Sequence, residues 1–382
     1  MNYRDLGTTG LRVSEIGMGC EGYVDDPQAC VAPLTAEALR WGINFFDLYT
    51  PSPQVHTLLG AALADVRSDV IIQGHICAMW AGGQYKRTRD ITETKAAFES
   101  QLEHLGTDYL DIGMIHFVDS DADFDEVFTG PVIAYAQQLK AEGRIRHIGL
   151  SSHNPVVARR AVETGLVEVL MFSINPAYDM QPATDNIDDL FNLSNYEQPL
   201  YNIDADRDAL YKLCERRGVG ITVMKAFAGG RLLDAARSQF KVAMTPVQCV
   251  HYALTRPAVA SVLPGFHTLE QFAQTCAYCQ ASDAQRDFSE VLAELPTHTF
   301  AGECMYCGHC APCPATIDIA AVNKYLDLVV AAGSMPETVR EHYASLTHHA
   351  KECIECAACE TRCPFAVPVI EKMHQAADTF GK

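Results

Sequence analysis

Short apolar runs alternate with longer stretches of helical periodicity along the first three quarters of the chain. The runs predict strands at 15–20, 44–49, 70–76, 109–116, 145–151, 168–174, 220–225 and 258–263. Between them the apolar positions fall on one face of helices at roughly 27–42, 53–65, 90–105, 130–142, 154–165, 204–218, 245–256 and 268–281. Eight strand–helix units predict an α/β fold of the (β/α)8 TIM barrel type. Ahead of them, Gly7-Thr-Thr-Gly10 separates Tyr3–Leu6 from Leu11–Ile16, the pattern of a small N-terminal β-hairpin. A doubly wound open sheet is the rival. Its glycine fingerprint is only weakly matched, because Gly17-Met-Gly19-Cys-Glu-Gly22 runs into Tyr23-Val-Asp-Asp-Pro27 instead of a helix. The stretch 176–203, rich in Asp, Asn, Pro and Tyr, is too long for a plain connection and is expected to be functional. After Leu295 the alternation stops, and Ile319–Ala332 and Pro336–Leu346 read as helices of a second, small domain. The expected division is 1–295 and 296–382.

The cysteines give that second domain its character. Eight of the fifteen lie in Cys304-Met-Tyr-Cys307-Gly-His-Cys310-Ala-Pro-Cys313-Pro314 and Cys353-Ile-Glu-Cys356-Ala-Ala-Cys359-Glu-Thr-Arg-Cys363-Pro364. The second run has the bacterial ferredoxin spacing; the first is one residue short in its last gap. Three thiolates spaced by two residues hold one cubane, and the cysteine before proline swings to the other. Two [4Fe-4S] clusters with crossed ligation follow: Cys304, Cys307, Cys310 and Cys363 on one, Cys353, Cys356, Cys359 and Cys313 on the other. A zinc ribbon accounts for paired CxxC motifs but not for eight cysteines with two Cys-Pro ends. The tail thus reads as a small α-helical, ferredoxin-like iron–sulfur domain.

A chain of 382 residues with a formal charge of -19 is a poor partner for nucleic acid or an anionic membrane. No apolar run reaches the length of a membrane span and the N-terminus has no signal-peptide pattern, so a reducing cytoplasm, and an anaerobe, is expected. Cys20, Cys30, Cys214, Cys249 and the helical Cys276-Ala-Tyr-Cys279 read as packed thiols. The acidic stretch from Asp119 to Glu126 reads as a solvated loop.

In such a barrel the chemistry sits at the C-terminal ends of the strands. Polar residues there are Glu21 and Tyr23, Asp47 and Tyr49, His75 and Cys77, His116, Ser151, Ser152, His153 and Asn154, Asn175, and Lys225. Several histidines and an aspartate at neighbouring strand ends suggest an active site. Asp47, His75, His116 and His153, with Cys77, would also form a donor set for a divalent metal, a minor alternative.

Arg4-Asp-Leu-Gly-Thr-Thr-Gly-Leu-Arg-Val-Ser14, Asn44-Phe-Phe-Asp47, Tyr109-Leu-Asp-Ile-Gly-Met-Ile-His116, Gly143-Arg-Ile-Arg-His-Ile-Gly149-Leu-Ser151 and Leu263-Pro-Gly265 resemble an aldo-keto reductase, of the branch with a C-terminal ferredoxin-type domain. The resemblance implies carbonyl reduction with NADPH through Asp, Tyr, Lys and His. Asp47 and His116 match two of the four; the tyrosine position falls at Ser52 and the lysine at His75. A serine and a histidine cannot run the tyrosine–lysine proton step unchanged. Tyr49 or Tyr23 is then the candidate donor, or His75 or His116 the acid itself. For NADP or NAD the resemblance points to Ser151 and Ser152 at the nicotinamide amide, Lys225, Gly229 and Gly230 at the pyrophosphate, and Gly265, His267 and Gln271 at the adenosine phosphate. The family's arginine there appears as Gln271, which weakens NADP. The expected function is an iron–sulfur oxidoreductase acting on a small carbonyl or alcohol substrate, with a ferredoxin or flavoprotein as a redox partner. The alternatives are a metal- or acid/base-dependent lyase or isomerase, and an electron-transfer subunit without hydride chemistry.

Overall fold

The computed structural model describes residues 1–382. Eight parallel strands follow one another around a sheet: β1 (Met18–Gly19), β2 (Phe45–Leu48), β3 (Ile71–Ile76), β4 (Leu110–Ile115), β5 (Ile145–Ser152), β6 (Val169–Ser173), β7 (Gly220–Met224) and β8 (Val259–Val262). Parallel bridges Ile16 to Val262 and Gly19 to Gly265 join the first and last strands, so the sheet curls into a barrel. A Cβ on Gly19 would lie 2.6 Å from the Leu263 carbonyl oxygen. The glycines after Ile16 therefore serve barrel closure, not a nucleotide fingerprint.

Strand periodicity decides what fills the barrel. Side chains two apart share a face, so Phe45 and Asp47, Ile71, Gln73 and His75, and Ile112 and Met114 all point inward. Apolar residues occupy the lower layers, with Val169, Met171, Ala260 and Leu263 beside them. Leu6 and Val13 of the N-terminal hairpin (Tyr3–Asp5 and Arg12–Ser14) join this interior and close the floor. The polar residues come at the upper ends, where the loops begin. The outer faces of the strands pack on helices such as Pro27–Arg40, Pro53–Leu63 and Ile91–Leu105, each started by a side-chain cap from Asp26, Ser52 or Asp90.

Three departures from the sequence expectation bear on the site. A two-stranded hairpin, Ala78–Ala81 and Gln84–Arg87, stands between β3 and its helix, turning on Gly82 and Gly83 at φ 60° and 80°. The acidic loop expected at 119–126 is instead a helix, Asp121–Thr129. Ser120 caps it, Asp121 and Asp123 suit its N-terminal dipole, and Asp119 before it is buried. The 176–203 stretch carries short helices, Pro176–Asp179 and Asp188–Phe191, anchored through the fully buried Asp179.

Asp179 accepts hydrogen bonds from Tyr211 (2.6 Å) and Tyr252 (2.8 Å), and faces Arg207 at 3.8 Å, with both charged side chains fully buried. Burial pushes the carboxyl above its usual range, and Arg207 and the tyrosines pull against it. Arg207→Ala is expected to cost about 3–5 kcal/mol in urea unfolding, because it leaves a buried charge without its partner.

The tail packs on the barrel's outer helices. Ile319–Ala332 lies against Ala205–Arg217 and against the C-terminal helix Val369–Phe380. Buried Arg256 donates to the Met305 carbonyl and lies between the rings of Tyr252 (4.7 Å) and Tyr306 (5.3 Å). No helix is long and apolar enough to cross a membrane.

Candidate functional site

At the barrel mouth the inward-facing polar residues form one hydrogen-bonded string. Asp47 Oδ1 accepts from Gln73 Nε2 at 2.6 Å and meets His75 Nε2 at 3.0 Å. His75 and His116 face each other through their Nδ1 atoms at 2.8 Å, and His116 Nε2 meets the Tyr85 hydroxyl at 2.7 Å. Asp47, His75 and His116 are buried; Tyr85 is half-buried at the outer end. Register explains the contact of Asp47 with Gln73, which are direct neighbours on β2 and β3. His116 follows β4, and Arg89 steadies its turn by donating to the His116 and Phe117 carbonyls at 2.9 and 2.8 Å. Burial drives the His116 imidazole well below its ordinary value, and the charges of His75, Arg89, His153 and Arg87 push the same way.

Tyr85 had no place in the sequence expectation. It sits on the hairpin that follows β3, paired with Trp80 across the strands. Its ring lies 5.6 Å from both Tyr49 and His116. Tyr49 packs on His75 and His116 at 6.1 and 5.4 Å, and burial, aided by Tyr85, Glu21 and Asp47, pushes its phenol up to about 12. The hydroxyl of the fully buried Tyr23 pairs with Thr35 at 3.3 Å and makes no hydrogen bond to the string. Ser52 is likewise outside the string: its Oγ caps Pro53–Leu63, accepting from the Val55 amide at 3.5 Å.

The divalent-metal set does not assemble. Both ring nitrogens of His75 are committed to Asp47 and His116, and the Cys77 thiol pairs with Thr94 at 3.9 Å. His153 belongs to a second pair, its Nδ1 lying 2.8 Å from Asp119 Oδ2. Asp119 also accepts from Ser152 Oγ and the His153 amide; against the cost of burial these contacts hold it below its usual value. Burial lowers His153 too, against the pull of Asp119; its Nδ1 faces Asp119 and its buried Nε2 has no partner.

The residues expected at a nicotinamide cofactor divide into two groups. Lys225, Ala228, Gly229 and Gly230 all have left-handed backbone at φ 59°, 50°, 65° and 80°; the Ala228 amide donates back to the Lys225 carbonyl at 2.9 Å, which curls the chain just before the glycine amides. The Lys225 ammonium has no ion pair; burial lowers it, opposed by Glu21 and Asp119. By contrast, Ser151 Oγ accepts from the Phe117 amide at 2.8 Å and Gly265 bridges Gly19. His267 pairs with Asp25 at 3.1 Å, and Gln271 Oε1 accepts from the His267 amide at 2.9 Å. No arginine or lysine joins those two.

In the tail, one apolar cavity is lined by Cys304, Cys307, Cys310 and Cys363, and a neighbouring one by Cys313, Cys353, Cys356 and Cys359. Burial raises the Cys304 thiol strongly and the Cys310 thiol to about 12. No three donors converge as tightly as a single-ion site requires, whereas a cubane keeps its thiolates farther apart.

A model of the aldo/keto reductase family matches residues 14–245, and a 4Fe-4S dicluster domain matches 303–368. The chain belongs to the aldo/keto reductase family. Among curated relatives, the uncharacterized oxidoreductase YqkF of Bacillus subtilis is 28% identical over 317 residues, covering 78% of this chain and 97% of that protein. L-galactose dehydrogenase of Arabidopsis thaliana is 34% identical over 160 residues, 39% of this chain and 47% of that protein. The solved aldo-keto reductase AKR11C1 from Bacillus halodurans, in its holo form, shares the fold at a TM-score of 0.58 and 23% identity, covering 75% of this chain and 94% of its own. This aldo/keto reductase is an oxidoreductase with a dicluster domain appended to its barrel.

Proposed function

We propose that the barrel mouth interconverts a small carbonyl compound and its alcohol, with a nicotinamide dinucleotide as hydride carrier. The observation that supports this most is the string itself. Where the family's tyrosine and lysine are replaced, Asp47, His75 and His116 still form a continuous acid/base path at the strand ends. The orphaned Nε2 of His153 fits an acceptor for the carboxamide N–H of the nicotinamide, and the Lys225–Gly230 curl fits the pyrophosphate. A bound nicotinamide would supply or accept the hydride. These residues would hold it in place of Ser151, Ser152, Gly265 and Gln271, whose polar atoms serve the fold.

In the same reading the four cysteines of each cavity ligate one cubane, crossed through Cys363 and Cys313, and the domains divide at 295/296. Clusters pass single electrons and nicotinamide passes a hydride, so a ferredoxin or flavoprotein would serve the cluster side. Cys356 and the 63% exposed Ile354 present that side to solvent.

The test is anaerobic turnover of a carbonyl and alcohol panel with each nicotinamide. With His267 engaged by Asp25 and no arginine or lysine alongside it, kcat/KM with NADH should equal or exceed that with NADPH. A preference for NADPH of more than about tenfold, about 1.4 kcal/mol, would place a cation at the 2′-phosphate that this arrangement lacks. Absence of nicotinamide binding in an equilibrium titration would remove the hydride reading.

A further inference from the structure

We propose that Tyr85 is the catalytic acid and base of this barrel, contacting the substrate oxygen directly, and that the string behind it stores the transferred proton on His75. The inference rests on the oxidoreductase reading above. It assigns to a hairpin residue the step that the position of Ser52 no longer performs.

The polarity of the hydrogen bonds decides the roles. An ionised carboxylate only accepts, so His75 Nε2 bears a hydrogen toward Asp47. Two imidazole nitrogens 2.8 Å apart need one proton between them. With His75 neutral, its Nδ1 is bare and His116 Nδ1 must donate. That leaves His116 Nε2 bare, so the Tyr85 hydroxyl donates inward at 2.7 Å and its oxygen offers lone pairs to a substrate hydroxyl. Add one proton and the outer two bonds reverse. His75 Nδ1 donates to His116, His116 Nε2 donates to the Tyr85 oxygen, and the Tyr85 hydrogen is free for a substrate carbonyl.

The added proton could be held on either ring, and the surroundings choose. His116 lies near Arg87, Arg89 and His153, all unfavourable to a second positive charge. His75 has the Asp47 carboxylate at 3.0 Å and the Tyr49 ring at 6.1 Å between centroids. The charge therefore belongs on His75.

The two states are the two ends of one reaction. In alcohol oxidation the substrate O–H bond breaks and its proton joins the Tyr85 oxygen. The Tyr85 proton passes to His116 Nε2, and the His116 Nδ1 proton passes to His75. A bound nicotinamide would take the C–H electron pair as hydride, the two-electron acceptor the step requires, as the carbonyl double bond forms. Reduction runs each transfer backwards, and the atoms and charges balance in both directions. The hairpin is fixed where these transfers need it. Arg87 donates to the Phe117 carbonyl at 3.0 Å and reaches Asp123 at 3.4 Å, while the Tyr85 ring packs on Tyr49.

The experiment compares wild-type protein with Tyr85→Phe, isolated anaerobically with its clusters. The variant is expected to lose at least about 100-fold in kcat in both directions, with the Kd for NADH, read by fluorescence titration, unchanged. In 15N-histidine NMR of the wild type, His116 Nε2 is expected as a hydrogen-bonded acceptor. In Tyr85→Phe that signal moves to the position of a bare nitrogen without a donor, while the His75 Nε2–H signal stays. Wild-type turnover with an unimpaired Tyr85→Phe rate would overturn the assignment. So would a His116 Nε2 signal that ignores the substitution, whether or not a substrate has been found. If the wild type turns over no carbonyl or alcohol, the carbonyl–alcohol reading falls separately, and the NMR arm still decides the string's polarity.

Discussion

His75→Ala is expected to lower kcat by about 100- to 10,000-fold, the range that a positioned acid or base contributes, with KM for the nucleotide little changed. The imidazole is the only link between Asp47 and His116, and both of its nitrogens are in use. Its removal isolates the carboxylate that favours the charged ring and leaves His116 without its inner partner. A fall in kcat with KM preserved marks a group used in the chemical step and not in binding. The carboxylate left behind keeps only Gln73, so some stability should be lost with the rate. His75→Gln separates the two effects, since an amide can still donate to Asp47 but cannot shuttle a proton. It should fold like the wild type and remain slow. A wild-type rate in a folded His75→Gln protein would remove the string from the mechanism. On the altered-tetrad reading His75→Lys should not rescue, because the tyrosine that a lysine would serve falls at Ser52, a helix cap.

Loss of one cluster cysteine should damage both clusters. Cys363 belongs in sequence to the second run but lines the cavity of the first, and Cys313 does the reverse. Each cavity is therefore finished by the other's segment, and metal binding is part of the folding free energy of such a small domain. Cys363→Ser is expected to reduce bound iron by about half or more and to expose the tail to protease. Unfolding should begin several degrees lower, at ~4–8 °C per kcal/mol lost for a domain of this scale. The barrel should feel the change through Arg256, whose guanidinium reaches the Met305 carbonyl beside Cys304. Full iron content and unchanged protease resistance in Cys363→Ser would contradict crossed ligation.

The barrel was legible because short apolar runs and amphipathic helices alternate with little interruption, and because Asp47 and His116 sit in family motifs. The dicluster domain was legible from cysteine spacing, and the two sets of four that spacing paired line separate cavities. The outer hydrogen-bond partner of His116 was not, since Tyr85 lies in an insertion outside every motif quoted. A signal existed: Gly82-Gly83 between short alternating runs marks a two-residue hairpin turn, and a hairpin after β3 must stand beside the mouth. The helix at Asp121–Thr129 was hidden by its charge, because a run of acidic residues at a helix start looks like solvated coil unless the cap at Ser120 is noticed. Asp119 was missed for the same reason. Ser152 and Ser151 could be placed at the mouth from sequence, but only three-dimensional contacts show that their hydroxyls are already committed.

The hairpin that fills the floor has a consequence for traffic. Leu6 and Val13 seal the barrel below Gln73 and Asp47, and Thr222 and Met171 close in from the far wall at 3.4 and 3.5 Å from the Gln73 side chain. Beyond Asp47 lie Gln73, Thr222 and Met171, none of which can carry a proton onward. In the proposed mechanism the string holds one proton, and Tyr85 is its end toward the substrate. Each cycle would then return that proton past the departing product, or to water once the product has gone.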